Sequence, residues 1–358
     1  MELRYFVLRR VLLIIPTVIG ITVLVFILLR SFPDSLLVSA YINPHSTLPR
    51  QEQIQIAKEQ LGLNLPVPVQ YFYYISNLLK GNWGFVTKPF PGPVLLGIEL
   101  FMPNSIQLAI FSSILSILLA IPIGTYIGSR PNTFADQAGR VFSLVGYAMP
   151  PFVLGILLIL AFGQGVSNWG GAVLPFNGVV NVPTPVPHWL LNQETGFIIS
   201  SPTHLVFFDA LIHGDPRVAW SAFLHLVLPV VTLTYTILAG LLRFIRAGMV
   251  DATNQEYVKT ARSKGVPEGM IIKRHIRRNA LIPTITVMGL LIAALLSGVV
   301  VIEILFTYHG LGWFAVTATL DNQIYGVLDT TLVFGLILVF ANLIVDIVYA
   351  FMDPRIRY

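Results

Sequence analysis

The chain has 358 residues, of which 55% are hydrophobic and only 11% are charged. Soluble domains carry about a quarter charged residues, so this composition excludes an ordinary soluble protein and predicts a chain embedded in lipid. The net charge of +5 fits basic loops at a membrane surface, and the absence of cysteine excludes disulfides, thiolate metal sites and cysteine nucleophiles.

Six apolar runs are close to the ~20 residues that a helix needs to cross a bilayer. The first lacks the small-residue cleavage site of a signal peptide and is longer than such a peptide's core, so we expect it to remain as a spanning helix. The fold class is therefore all-α integral membrane with about six transmembrane helices. The predicted spans are Leu8–Leu29, Ser105–Gly128, Val141–Gly163, Leu224–Leu242, Leu281–Phe306 and Val327–Phe351.

The basic residues are unequally distributed between the two sides of these spans. If the N-terminus is inside, 16 of the 22 Lys and Arg residues fall in short inner segments. Basic residues concentrate in cytoplasmic loops. We therefore expect a multi-pass protein of the cell (plasma) membrane with both termini cytoplasmic.

Two long segments are predicted on the outer side. The first contains a polar stretch, Leu48–Leu61, that looks helical. The second, Gln164–Phe223, is rich in Pro, Gly, Asn and Trp, a composition typical of ordered turns. We divide the chain into residues 1–104, a transmembrane helix plus an outer segment, and residues 105–358, a core transmembrane domain of five helices.

A basic loop, about residues 251–283, connects the fourth and fifth spans. Tyr257, Ala261 and Gly265 recur every four residues and so share one helical face. Gly265 occupies the position where a helix ends in a left-handed residue, and Pro267 can open the next helix at its first position. The pattern predicts two short helices that are joined by a sharp turn and project from the membrane.

Charge and periodicity alone leave two interpretations of this loop open. It would serve either as a projecting knob or as an amphipathic loop on anionic lipid, which attracts each basic residue by ~1 kcal/mol. We expect no nucleic-acid partner, because lipid on both sides leaves no room for a duplex.

The loop resembles the cytoplasmic loop of permeases from binding-protein-dependent ABC importers. The family pattern is Glu-Ala-Ala, three residues and Gly; this chain keeps Ala261 and Gly265 but has Lys259 and Thr260 at the first two positions. The oligopeptide/dipeptide (peptide/nickel) subfamily matches more fully, and its resemblance covers nearly the whole chain. Its loop motifs are found at Glu256-Tyr257-Val258, Thr260 to Gly265, Arg274-His275 and Arg278 to Pro283.

This resemblance implies a permease subunit that forms the translocation pathway by alternating access and hydrolyses no ATP itself. Its implied partners are a second homologous permease, two ABC ATPase subunits and an extracytoplasmic substrate-binding protein, besides the lipid bilayer. The implied substrates are dipeptides or oligopeptides, with oligosaccharides or nickel complexes as alternatives in the same subfamily. No cofactor and no metal are expected. The ATPase would dock on a coupling loop with the candidate residues Glu256, Tyr257, Ala261, Arg262, Lys264 and Gly265.

Glu303 is an acidic residue inside the fifth predicted span. Ionisable residues in membranes face the bundle interior or a water-filled pathway, so Glu303 is a candidate pathway or gate residue. The alternative is a structural carboxylate that is hydrogen-bonded to backbone or to a neighbouring helix.

Two other function classes compete with the importer. A secondary transporter driven by an ion gradient would need intramembrane carboxylates or broken helices paired across inverted halves. A membrane-embedded enzyme would need a catalytic cluster, and the sequence contains neither a nucleophile elbow nor a phosphate-binding Gly-x-x-x-x-Gly-Lys-Ser/Thr motif. The sequence favours the importer over both.

Overall fold

The computed structural model describes residues 3–42, 47–164, 173–191 and 200–352. Two two-residue strands, β1 (Phe85–Val86) and β2 (Gly92–Pro93), pair antiparallel, and Ser39–Tyr41 forms a 3-10 turn. Ile159–Gln164 and Ile271–Ile276 are π-helical. The α-helices are α1 (Leu3–Ser31), α2 (Asp34–Leu37), α3 (Arg50–Gln60), α4 (Val67–Leu79), α5 (Val94–Gly128), α6 (Phe134–Ala148), α7 (Pro151–Leu158), α8 (Val206–Ile212), α9 (Pro216–Thr253), α10 (Glu256–Ser263), α11 (Glu268–Met270), α12 (Arg277–Leu305), α13 (Leu311–Leu320) and α14 (Ile324–Met352).

A helix lies at each predicted span. Among the described residues, four helical stretches are long and apolar enough to cross a bilayer, and the bent pair α6–α7 makes five if it counts as one span. The fifth predicted span coincides with α12, whose 29 residues reach about 44 Å at the ordinary helical rise and exceed the ~30 Å hydrocarbon core. The four stretches are Val7–Ser31, Val94–Gly128, Pro216–Thr253 and Ile324–Ile347.

The prediction of one continuous third span, Val141–Gly163, is wrong. α6 and α7 meet at a bend of 105°. Met149 and Pro150 between them have extended backbones, with ψ of 121° and 138°. Successive prolines cause the break, because a proline disfavours the helical conformation in the residue before it and offers no N–H of its own.

The central helix is α9, which packs against α5, α6, α7, α8 and α12. Gly128 of α5 allows a close approach to it, since a Cβ there would lie 2.6 Å from the Met249 Cβ. Gly124, one turn earlier, contacts Ile245 in the same way. This small-residue pair therefore serves close helix packing, as is common in membrane bundles.

A second apolar cluster joins α1 and the first outer segment to α13 and α14. The predicted polar helix of this segment is confirmed as α3. In the second outer segment, residues 173–190 and 201–204 form the expected turns and irregular chain, whereas α8 and the first turns of α9 are helical. Residues 165–172 and 192–199 lie outside the described residues. The division at 104/105 stays a prediction, and α5 runs through it.

Candidate functional site

The loop between α9 and α12 forms a compact projection that rests on the bundle. α10 starts after only two residues, Asn254 and Gln255. Its side chains Val258 and Ala261 are buried in the same apolar cluster as Ile271 of the following π-helical segment. α10 is therefore fixed to the C-terminal end of α9 and the segment that leads into α12, and does not hang from a flexible linker.

The turn after α10 has the left-handed geometry that the sequence predicts at Gly265. Its φ is +74°, the Val266 N–H donates to the Ala261 carbonyl (3.2 Å) and the Gly265 N–H donates to the Arg262 carbonyl (2.9 Å), which is a Schellman arrangement. A Cβ at Gly265 would have no atom within 4 Å. The backbone conformation, and not lack of space, therefore favours glycine here.

Two predicted details of the second half of the loop are wrong. Pro267 precedes the helix as its N-cap and does not open it. α11 has only three residues before the chain continues through the π-helical segment into α12. The second half is therefore a helical extension of the beginning of α12, because α11, the π-helical segment and α12 follow one another without an intervening residue.

The predicted coupling residues fall into one buried residue and five exposed ones. The solvent-exposed fraction is 8% for Ala261 and 38% for Tyr257. These two residues, predicted on one helical face, therefore differ in what they contact. Ala261 anchors α10, and the exposed group is available to a partner. This group consists of Glu256, Tyr257, Arg262, Lys264 and Gly265.

An ion pair across the turn was not predicted. Arg262 Nη2 donates to Glu268 Oε1 at 2.6 Å, and Arg262 Nε donates to Glu268 Oε2 at 3.2 Å. The guanidinium holds the pKa of the Glu268 carboxyl below its usual range. The sequence signal is an arginine and a glutamate on either side of a Gly-Val-Pro turn, and the pair ties α10 to α11.

A second unpredicted ion pair joins α6 to α9 close to the loop. The Asp136 carboxylate is fully buried, receives both Nε and Nη2 of Arg246, and also accepts the Asn132 N–H at 3.0 Å. Arg140 lies 3.6 Å away. The bidentate pair fixes the C-terminal part of α9, which leads into α10, against the first turn of α6.

We expect Arg246→Lys to lower the melting temperature of the purified chain by a few degrees. Lysine keeps the charge but cannot bind both carboxylate oxygens in a planar fork, and a hydrogen bond to a charged group contributes about 1.5–3 kcal/mol. Arg243→Lys, on the same helix but outside the Asp136 contact, is the control. Equal melting temperatures of the two variants would show that the fork does not stabilise the fold.

Glu303 lies at the meeting point of α5, α12 and α13 and is fully buried. Its Oε1 accepts the Ser105 hydroxyl (2.5 Å) and its Oε2 accepts the Trp313 N–H (2.9 Å). Ser105 Oγ in turn accepts the Leu311 N–H at 2.7 Å. The carboxylate thus acts as a cap for the N-terminus of α13, where orphan N–H groups and the helix dipole favour a negative charge.

Among the described residues, no group of three or more His, Cys, Asp or Glu side chains is placed to hold a metal ion. Of the polar residues in the second outer segment, Asp209 is buried and accepts both the backbone N–H and the hydroxyl of Thr203. Within the described part of the chain, these hydrogen bonds stabilise the turn that precedes α8.

Residues 120–358 match the family described as "binding-protein-dependent transport system inner membrane component". Residues 3–111 match a second family, which is described as the N-terminal part of such a membrane component. The chain belongs to the first of these families. Its relatives among characterised proteins include an oligopeptide transport system permease protein of Bacillus subtilis, 32% identical over 353 residues and 99% of both chains. A dipeptide transport system permease protein of Alkalihalophilus pseudofirmus is 31% identical over 99% of both chains. One of Escherichia coli is 30% identical over 99% of this chain and 98% of its own.

This membership identifies the chain as a permease subunit of an ABC importer, a multi-pass membrane protein. ATP hydrolysis belongs to separate ATPase subunits, and a substrate-binding protein delivers the substrate. Membership in this family supports the importer and argues against the two alternative function classes, the ion-coupled transporter and the membrane-embedded enzyme. The permease therefore needs one surface for an ATPase, and the exposed loop of α10 and α11 is the candidate.

Proposed function

We propose that this permease imports dipeptides or oligopeptides and that the exposed loop of α10 and α11 couples it to the ATPase. The observation that carries the coupling proposal is the combination of an anchored α10 with exposed Tyr257, Arg262 and Lys264. An amphipathic loop on lipid would not need a rigid Schellman turn at Gly265. The names of the relatives support the peptide substrate.

The loop is built to transmit motion into the spans. Val258 and Ala261 fasten α10 to the bundle, and the Arg246–Asp136 pair fastens the C-terminal part of α9 to α6. A displacement of α10 by closing ATPase subunits would therefore move α9 and α6 together. Such a movement supports alternating access, in which a second homologous permease would form the other half of the pathway above two ATPase subunits.

Glu303 takes a supporting role in this proposal. Its carboxylate holds α13 to α5 and α12 through Ser105 and the Trp313 N–H. It would keep these three helices together while the pathway opens and closes, and so serve the gate by positioning α13.

The proposed orientation places both termini and the coupling loop in the cytoplasm, as the unequal distribution of basic residues indicates. Because the chain has no cysteine, single cysteines can be labelled without background. Ser263 and Asn181 are both exposed. A cysteine at Ser263 should react with an impermeant maleimide only after the membrane is permeabilised, and one at Asn181 should react in intact cells. The reverse pattern would contradict the orientation.

The substrate is tested by uptake into proteoliposomes that contain the permease with its ATPase and binding-protein partners. We expect ATP-dependent accumulation of a labelled dipeptide or oligopeptide that persists when ion gradients are collapsed by an ionophore. Accumulation of an oligosaccharide or a nickel chelate instead would replace the peptide substrate. Uptake abolished by the ionophore in the presence of ATP would favour the ion-coupled transporter.

A further inference from the structure

A small cavity with apolar and polar walls lies between α1, α4 and α14, away from the coupling loop and from Glu303. Its wall includes Arg30 of α1, Tyr41, Gln70 and Tyr74 of the first outer segment, and Tyr325 and Asp329 of α14. The cavity therefore sits where the first outer segment joins the first turns of the last helix.

Three buried oxygen atoms on residues of this wall have no hydrogen-bond partner within the described part of the chain. They are Asp329 Oδ2, Gln70 Oε1 and the Tyr74 hydroxyl. The Gln70 amide orientation is fixed, since its Nε2 donates to the carbonyls of Leu63 (3.2 Å) and Leu65 (2.6 Å), so Oε1 can only accept. Asp329 Oδ2 and Gln70 Oε1 can accept a hydrogen bond, and the Tyr74 hydroxyl can accept or donate one. Buried polar atoms without a partner are rare in folded proteins, so three on the residues of one cavity wall indicate a bound group that donates or is positively charged.

Asp329 is the one acidic residue of the cavity wall and is 2% exposed. Arg30, the basic residue of the wall, is engaged elsewhere: its Nη1 binds Asp34 Oδ1 at 3.1 Å, and Lys58 lies 3.5 Å from the other Asp34 oxygen. Tyr41, Tyr74 and Tyr325 also line the cavity, and burial together with the nearby Asp329 carboxyl raises the pKa of Tyr41. Asp329 is therefore a buried carboxyl group that forms no ion pair with any described residue.

The size and charge of the cavity restrict the ligand. The space that the centre of a water molecule can occupy is about 40 Å³, and one water requires about 10–15 Å³ of it. An ion with one or two waters fits, whereas a dipeptide does not. A single carboxylate with neutral oxygens balances one positive charge, whereas calcium takes six to eight oxygen ligands in cages of several carboxylates.

We propose that this cavity binds a small monovalent cation, either an alkali ion or a primary ammonium group, through Asp329, Gln70 and Tyr74. The cation would satisfy the three oxygens at once and would join α14 to α4. Binding would fasten the first outer segment to the spans, on the side where the orientation proposed above places the binding protein.

The test measures the melting temperature of the purified full-length chain in the chlorides of sodium, potassium, methylammonium or N-methylglucamine at equal ionic strength. N-methylglucamine is too large for the cavity and sets the baseline. We expect at least one small cation to raise the melting temperature by a few degrees above this baseline. Asp329→Asn should remove that rise, and Tyr74→Phe should shift it to several-fold higher cation concentration.

Asp346→Asn is the matched control, because Asp346 lies on the same helix and pairs with Arg10 at 2.9 Å outside the cavity. This variant should keep the full response to the cation. A rise with sodium or potassium but not methylammonium assigns an alkali ion, and the opposite result assigns an ammonium group. Equal melting temperatures in all four salts, or an Asp329→Asn response equal to that of the unmodified chain, would overturn the proposal and leave a protonated Asp329 with water only.

Discussion

Gly265→Val is expected to abolish most transport while the permease still inserts into the membrane. Gly265 has a φ of +74°, a conformation that costs a branched residue ~1–2 kcal/mol because its Cβ crowds the backbone. Within the described part of the chain, a Cβ there would have no neighbouring atom within 4 Å. The substitution therefore changes the direction of the turn and leaves the packing of the bundle intact. About 1.4 kcal/mol changes an equilibrium constant tenfold, which is enough to weaken a small docking contact by roughly that factor.

The measurement is transport alongside the ratio of ATPase to permease that co-purifies. Gly265→Asn is the matched control, since asparagine adopts the left-handed conformation far more readily than valine and is of similar size. Arg262→Ala should do less than Gly265→Val, because its exposed pair with Glu268 is screened by solvent. Full transport with a normal ratio in Gly265→Val would show that this turn is not the coupling element and would favour the loop on lipid.

Glu303→Leu is expected to abolish transport and to reduce the amount of permease that assembles with its partners. The substitution leaves the Ser105 hydroxyl and the Trp313 N–H without their buried acceptor, at about 1–3 kcal/mol for each unsatisfied group. It also removes the negative charge from the N-terminus of α13. The expected loss is therefore several kcal/mol, concentrated at the junction of α5, α12 and α13.

Glu303→Gln separates the structural role from a role of the charge. Glutamine keeps the shape and one acceptor oxygen, so transport should stay close to that of the unmodified permease if Glu303 only supports α13. If Glu303→Gln instead loses transport but keeps a normal melting temperature, the negative charge of Glu303 is required for the operation of the gate. Transport and assembly unchanged in Glu303→Leu would contradict both roles.

The spans could be predicted from the sequence because each is a long apolar run, but their ends could not. α5 begins at Val94 and not at Ser105, since hydropathy reports the part of a helix that matches the bilayer and not the hydrogen bonding beyond it. Two adjacent prolines, Pro150 and Pro151, lie at the bend between α6 and α7. The single prolines Pro16, Pro122 and Pro229, in contrast, lie inside continuous helices. Local sequence therefore does not decide whether a proline in a membrane helix bends it.

The loop could be predicted further than the buried polar contacts. The turn at Gly265 follows from local rules of helix termination, which act over a few residues. A carboxyl group inside the membrane is expected to have a polar partner, so a partner for Glu303 could be predicted. Its identity could not, because Ser105 lies 198 positions away and no sequence periodicity connects the two residues. The Asp136–Arg246 pair spans 110 positions and depends likewise on how α6 and α9 pack.

The most direct test of the central claim is photo-crosslinking from Tyr257 in membranes that contain the permease and its partners. Tyr257 is exposed on the anchored α10 and is replaced by a photoreactive phenylalanine analogue. The control is the same replacement at Lys80, which is exposed and lies on the side proposed to be outer. The account predicts a light-dependent product of the permease with an ABC ATPase subunit from position 257 and none from position 80. Adducts with lipid alone at position 257 would contradict the assignment of this loop as the coupling element.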